Sequence, residues 1–292
     1  VAVDLHVHSS ASDGTDAPDV VVAKAAAIGL KAIALTDHDT LSGIPAARRA
    51  AADLAIELIP GVELSVDHNG VKAHLLAYFV EPTEGPLQEH LARLRAGRAD
   101  RNVVIVERLN QLGYAITMDD VLRHARGDAV GRPHIADALV EAGYLEERSA
   151  AFPGLLGDGG EAYVERDRLT ATEAIRLTKE SGGATSIAHP LTIRAEASSL
   201  RIMLEELREV GLAGIEVYYS EHPPAIRSQL AAVASDLGLV ATGGSDYHGS
   251  GKPGLQIGSG YGDLSVPDTA LQELIARRSE AFNTARGSTD TG

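Results

Sequence analysis

Val3-Asp4-Leu5-His6-Val7-His8-Ser9-Ser10-Ala11-Ser12-Asp13-Gly14 is the stretch on which the reading of this chain turns. Its apolar first part, Val1 to Val7, reads as a short buried strand. Alternate residues of a strand share a face, so His6 and His8 point the same way. A lone histidine on an apolar strand is usually a satisfied core residue. A His-x-His pair closing a first strand, with Asp13 in the turn beyond, reads instead as the start of a metal site.

The chain has 292 residues, enough for one large α/β domain or one domain with an insert. A formal net charge of −15 argues against a broad basic footprint for duplex DNA or an anionic membrane. It leaves room for a small anionic substrate held by local cations. With no cysteine there is no disulfide framework and no thiolate ligand, so any metal must be held by nitrogen and oxygen donors. No apolar run approaches the roughly 20 residues of a membrane span. No basic-then-apolar leader precedes the first strand, and the cytoplasm is the expected location.

Outward from the first strand, apolar runs and helical patterns alternate. Helix is expected from Asp16-Ala17-Pro18 to near Gly29, strand over Lys31 to Leu35, and helix from Ser42 to Leu54. Ile56 to Ile59 reads as a strand segment ended by Pro60-Gly61. Val62 to Val66 and Val71 to Phe79 then flank Asp67-His68-Asn69-Gly70, where Asn-Gly signals a hairpin. After Glu81-Pro82 the pattern becomes helical and rich in arginine, over Leu87 to Leu112, Met118 to Ala125 and Pro133 to Ala142, before a glycine-rich loop at Gly154 to Gly160. Residues 82–165 are therefore read as a mostly helical insertion. The alternation resumes with helices over Thr170 to Ser181, Ser198 to Val210, Pro224 to Leu237 and Asp268 to Arg277. Strands are expected over Ala184 to Ala188, Gly214 to Tyr219 and Leu239 to Thr242. Residues 1–81 and 166–286 would form one discontinuous domain, with 287–292 a polar tail. The pattern predicts a parallel α/β sheet, closed or nearly closed as a barrel.

His6, His8, His38, His189, Asp246 and His248 all fall at or just past the C-terminal ends of apolar strands, the end where barrel enzymes build their sites. Asp13, Glu63 and His74 join them, giving six histidines and three carboxylates. Each alone has an ordinary structural explanation, but Glu63 on an apolar strand needs a partner if buried. Nine such donors are too many for one ion and suit two or three divalent cations, with Zn, Mn or Fe preferred over Mg or Ca by the mixed imidazole and carboxylate set. Three such cations bring six positive charges. Three carboxylates and a hydroxide return four, and the remainder matches a phosphate monoester dianion. A metal cluster also generates hydroxide near neutral pH, so no Ser or Cys nucleophile is required.

In this ordered set the chain resembles the PHP family, the polymerase-and-histidinol-phosphatase family of metal-dependent phosphoesterases. Asp4-Leu5-His6-Val7-His8-Ser9 with Ser12-Asp13-Gly14, Thr36-Asp37-His38-Asp39, and Gly61-Val62-Glu63 with His74 carry the resemblance. So do Ala188-His189-Pro190 and Gly244-Ser245-Asp246-Tyr247-His248. The resemblance implies a distorted (β/α)7 barrel, a TIM-like fold, with a site for three metals. His6, His8, Glu63 and Asp246 would hold the first. Glu63 would bridge to the second, with His74 and His189, and Asp13, His38 and His248 would hold the third. Asp13 stands where some members have His, which makes the site more anionic. Asp37 and Asp39 would support or cap, Asp37 orienting a ligand histidine.

Gly131-Arg132-Pro133-His134-Ile135-Ala136 resembles a segment of the subgroup containing nucleoside 3',5'-bisphosphate phosphatases and the 5'-to-3' exoribonuclease RNase AM, in which such an insertion covers the metal site. Arg132 is suited to grip a second phosphate bidentately, and His134 to donate to the same group. In Tyr219-Ser220-Glu221-His222, His222 is a candidate to bind phosphate or protonate the leaving alkoxide. His68, His90 and His124 read as surface residues. Tyr163, Tyr218, Tyr247 and Phe152 are open between stacking on a base and simple packing. The expected activity is removal of the 3'-phosphate from a nucleoside 3',5'-bisphosphate, with short 5'-phosphorylated oligoribonucleotides as related substrates. Rivals are a phosphatase for histidinol phosphate or another small metabolite, an amidohydrolase cleaving C–N bonds, and a non-catalytic nucleotide-binding module.

Overall fold

The computed structural model describes residues 3–193 and 197–278. The expected strand residues Val1 and Ala2 and the tail at 287–292 lie outside the described residues. In chain order the barrel begins with β1 (Val3–Val7), α1 (Pro18–Ala27), β2 (Ala32–Leu35) and α2 (Ile44–Leu54). The hairpin β3 (Glu57–His68) and β4 (Val71–Tyr78) follows. Three helices come next, α3 (Pro86–Gln111), α4 (Met118–His124) and α5 (Arg132–Glu141). The alternation returns with β5 (Leu169–Thr170), α6 (Ala171–Glu180), β6 (Ala184–Ile187), α7 (Ala197–Val210), β7 (Gly214–Tyr219), α8 (Pro224–Leu237), β8 (Val240–Gly244) and α9 (Thr269–Ala276).

The sheet runs β1-β2-β3-β4-β6-β7-β8, with β5 pairing only to β3. Its ends meet: Asp246 N donates to His6 O at 2.8 Å and His8 N to Tyr247 O at 2.9 Å. The result is a nearly closed barrel of seven strands, distorted because β4 runs antiparallel to both neighbours. The hairpin turns through Asn69 and Gly70, both with positive φ, as the Asn-Gly signal requires.

One expectation needs correcting. Pro60-Gly61 does not end a strand; β3 passes through it as one strand of 12 residues. The pair marks a change of partner. Glu57 to Pro60 pair in parallel with β2, and Gly61 to His68 pair antiparallel with β4. A Cβ at Gly61 would lie 3.0 Å from both Ala77 O and Thr36 Cγ2, so the crossing point favours glycine.

At the N-terminal end of the barrel, α9 buries Leu271 and Leu274 against Val3, Leu5, Ile59 and Tyr78. The C-terminal end is left for the polar residues. Beside it lie α3 to α5, which have their own apolar cluster built on Ile105, Leu109, Ile135, Leu139 and Leu156. Leu87 and Leu91 of α3 belong instead to the main barrel core, so this helix joins the two. The helical segment sits on the loops of the barrel mouth: Thr40 Oγ1 donates to Asp128 Oδ1 at 2.7 Å, and Arg148 Nη1 to Asp13 O at 3.3 Å.

Candidate metal centre

All nine residues named from the sequence converge at this mouth, and Glu63 is their hub. Its Oε1 lies 2.7 Å from His74 Nδ1 and 2.9 Å from His189 Nε2. Its Oε2 lies 3.1 Å from His8 Nε2, 3.2 Å from His38 Nδ1 and 3.4 Å from His6 Nε2. Asp246 Oδ1 faces His6 Nε2 at 3.4 Å and His8 Nε2 at 3.3 Å. Asp13 completes the other side, its Oδ1 3.3 Å from His248 Nε2 and its Oδ2 3.8 Å from His38 Nε2. Several subsets place one donor atom per residue within 4.8 Å of one another, among them His8, Asp13, His38 and His248, and His6, Glu63 and His189.

The outer nitrogens explain why the inner ones suit a cation. His6 Nδ1 is 3.0 Å from Glu216 Oε1, His189 Nδ1 2.8 Å from Thr192 Oγ1, and His248 Nδ1 2.8 Å from Asp246 O. A proton held on each Nδ1 leaves the Nε2 lone pair facing inward, the tautomer that binds metal. His8 Nδ1 and His38 Nδ1 are buried without a hydrogen-bond partner among the described residues. Buried polar atoms are rarely orphaned in this way, and an ion is one group that would satisfy His38 Nδ1 beside Glu63. The donor set therefore fits divalent cations.

Electrostatics agree. Burial opposes charge on His6, but Glu216, Asp246 and Glu63 raise it well above the ordinary imidazole range. Burial likewise lowers His8, yet hydrogen bonds to Asp246 and Glu63 carry it to about 10. Burial takes His38 down to about 3 and also lowers His74. Burial would raise Glu63, but the surrounding His38, His74 and His6 hold it well below the usual carboxylate range. At His6 and His8 a cation would compete with a firmly held proton, whereas burial leaves His38 and His74 neutral and ready to ligate. The backbone is strained here too: Asp39, His189 and Asp246 have φ of 53°, 26° and 55°.

Several supporting residues went unread in the sequence. Glu216, at the centre of apolar β7, holds His6 and accepts His189 N at 2.6 Å. The signal was present, an acid on a buried strand as at Glu63. Asp4 accepts Ser245 N at 2.9 Å and Gly258 N at 2.7 Å, tying β1 to the loop that carries Asp246 and His248. Lys252 Nζ and Tyr219 Oη both reach Asp246 Oδ2, at 2.5 and 2.9 Å, leaving Oδ1 to the histidines. Asp37 corrects an expectation. It makes no hydrogen bond to a histidine among the described residues, but accepts from Ser9 N, Ser9 Oγ and Ser12 Oγ at 2.8, 2.7 and 2.6 Å, shaping the turn before Asp13. Asp39 pairs with Arg98 and with Arg166, the latter at 3.1 Å.

The other candidates lie around the rim. His134 is buried at the start of α5, its Nδ1 accepting Gly131 N at 3.0 Å, so its proton is on Nε2. Arg132 donates to Leu156 O at 2.9 Å and reaches Asp158 at 3.5 Å. His222 donates from Nδ1 to Val217 O at 3.1 Å, and its buried Nε2 has no partner among the described residues. In that tautomer it donates to phosphate only when doubly protonated. Tyr219 separates it from His189, with ring centroids at 5.0 and 5.7 Å. His68 and His124 are half-buried and paired with Glu206 and Glu141 at 2.6 and 3.0 Å, and His90 lies 3.5 Å from Glu173. Tyr247 gives its hydroxyl to Asp16 at 2.6 Å, a packing and pairing role.

A barrel mouth with this donor set suits a metal-dependent hydrolase, and the comparisons make it a phosphoesterase. The PHP domain model matches residues 4–183, and the chain belongs to that family. It is 34% identical over 250 residues, 85% of each chain, to the 5'-3' exoribonuclease Rnm of Salmonella typhimurium. It is 31% identical over 257 residues to the 3',5'-nucleoside bisphosphate phosphatase of Chromobacterium violaceum, covering 88% of this chain and 90% of that protein. A solved structure from Bifidobacterium adolescentis, described as a metal-dependent phosphoesterase, matches with TM-score 0.86 and 34% identity over 96% of this chain and 98% of that one. The protein is a hydrolase of phosphate esters. No helix among the described residues is long and apolar enough to cross a membrane.

Proposed function

We propose that this hydrolase removes the 3'-phosphate from nucleoside 3',5'-bisphosphates, leaving the 5'-nucleotide, and also acts on short 5'-phosphorylated oligoribonucleotides. The observation that carries the reading is the convergence of six imidazoles on Glu63, Asp246 and Asp13, three of the imidazoles held from behind in the metal-binding tautomer. His6, His8, Asp13, His38, Glu63, His74, His189, Asp246 and His248 would hold two or three divalent ions, Mn, Zn or Fe. When bound, such ions neutralise a phosphate dianion and supply a hydroxide nucleophile.

The chain's own residues do the rest. Glu216 and Thr192 fix the rings of His6 and His189. Lys252 and Tyr219 hold the outer oxygen of Asp246. Arg132 and His134 grip the phosphate that is not cleaved. His222, when doubly protonated, is the candidate to bind the scissile group or protonate the departing alkoxide. The relatives named for exoribonuclease and bisphosphate phosphatase activity support this substrate class.

The test is phosphate release by Mn-loaded protein from adenosine 3',5'-bisphosphate, AMP and histidinol phosphate, beside mononucleotide release from a short 5'-phosphorylated RNA. Strong preference for the bisphosphate, with AMP as product, is expected. Preference for histidinol phosphate would overturn the substrate. Inactivity on all four with metal bound would turn attention to C–N substrates or a binding role.

A further inference from the structure

The period of β3 and β4 sets up a second polar surface. Glu63, Ser65 and Asp67 pair with Leu76, His74 and Lys72, so all six side chains share one face. The metal donors Glu63 and His74 are at one end, and Lys72 lies two residues beyond His74, about 7 Å along the strand. That step is comparable to the spacing of successive phosphates in a nucleic acid strand.

Lys72 stands in a basic cluster around Tyr163. Its Nζ is 2.9 Å from Tyr163 Oη and 5.1 Å from the ring centroid. Arg101 and Arg132 each lie 5.6 Å from the same ring. Arg168 joins through Glu165. The carboxylates contacting these four cations are Asp158 and Glu165, both on the solvent side, with side chains 35% and 57% exposed. Asp158 sits between Gly157 and Gly159. With Asp67 opposite Lys72 counted as well, these four cations face three carboxylates among the described residues, in a chain of net charge −15. Arg101 is only 6% exposed, its Nε donates to Val164 O at 2.6 Å, and its Nη2 has no partner among the described residues. A buried guanidinium with a free donor beside other cations calls for an anion. The adjoining cleft, about 430 Å³, is lined by Lys72, Arg132, Asp158, Phe152 and Thr192, and Thr192 also holds His189. It therefore opens beside the metal centre and offers one apolar wall.

We infer that the cluster of Lys72, Arg101, Arg132 and Arg168 around Tyr163 is a track for the following backbone phosphates of a single-stranded oligoribonucleotide whose end is held at the metal centre. This rests on the proposed function, and adds to it where a chain longer than one nucleotide runs. A bound phosphate displaces Asp158 and Glu165 from Lys72 and accepts from Arg101 Nη2. The cleft is too small for a duplex.

The experiment measures binding by full-length Mn-loaded protein of a 5'-phosphorylated tetra-adenylate with phosphorothioate linkages, and of adenosine 3',5'-bisphosphate carrying a hydrolysis-resistant 3'-phosphorothioate, over a range of salt. The tetramer should show the steeper salt dependence, by roughly 0.7 in the log–log slope for each added phosphate contact. Lys72→Glu and Arg101→Gln should each weaken the tetramer roughly tenfold, with a much smaller change for the bisphosphate. Lys72 is part-exposed, so its variant keeps the test open if the buried Arg101→Gln fails to fold. Equal salt slopes for the two ligands, or equal loss on both in the variants, would overturn the track. Binding is read separately from hydrolysis: length-dependent binding without phosphate release would sink the proposed function and leave the track standing.

Discussion

The barrel mouth and the basic cluster around Tyr163 are both polar, but they are built differently. At the mouth, short side chains sit at strand ends, and the imidazoles of His6, His189 and His248 have their outer nitrogen taken by a fixed acceptor. Around Tyr163, long flexible side chains lean on one another and on exposed carboxylates. A centre that must hold ions in set geometry is preorganised from behind. The proposed track, which would follow a variable chain, has adaptable contacts.

The difference can be broken from the rigid side first. Glu63→Gln removes the charge that both halves of the centre share, and should abolish phosphate release and lower the bound metal measured by elemental analysis. Retained metal and activity would show that Glu63 is no hub. Glu216→Gln, which touches no substrate, should weaken metal binding roughly 10- to 100-fold by replacing the charged acceptor behind the His6 ring with a neutral one. A chelator competition would read this, and an unchanged affinity would deny the orienting role.

Acid should act on the mouth in the same direction. The His8 pKa is raised to about 10 and that of His6 is raised as well, so both hold protons at neutral pH that a metal must displace. Metal affinity should rise with pH below that value, roughly tenfold per unit for each proton released. A flat titration between pH 6 and 8 would contradict the proton competition. On the adaptable side, Arg132→Ala should reduce selectivity for bisphosphates over a simple aryl phosphate by roughly tenfold or more. Equal loss on both substrates would count against a grip on the second phosphate. Smallest of all, Thr117→Ala removes the cap whose Oγ1 accepts Asp120 N at 3.2 Å, and should cost about 1 kcal/mol of stability without altering selectivity.

The two regions were also unequally legible from sequence. The mouth could be read because strand periodicity and strand ends place short side chains almost without reference to the rest of the fold. Glu216 followed the same logic as Glu63 and was available to it. Asp37 was misassigned because adjacency to His38 says nothing about which way a loop carboxylate turns; Ser9 and Ser12 decide it. Pro60-Gly61 looked like a strand end because both residues usually break pairing, whereas here they sit where β3 changes partner. Lys252 and the gathering of Lys72, Arg101 and Arg168 with Arg132 around Tyr163 were invisible. Their contacts cross from loops and from α3 and α5 onto the barrel, and side chains that long reach partners no local pattern specifies.

The most direct test of the whole account is metal content per chain in purified protein reloaded with Mn and freed of excess, measured by elemental analysis beside the Glu63→Gln variant. Two to three ions in the parent, falling in the variant, are the predicted result. A parent that holds none under conditions where it remains folded would contradict a metal centre built on Glu63.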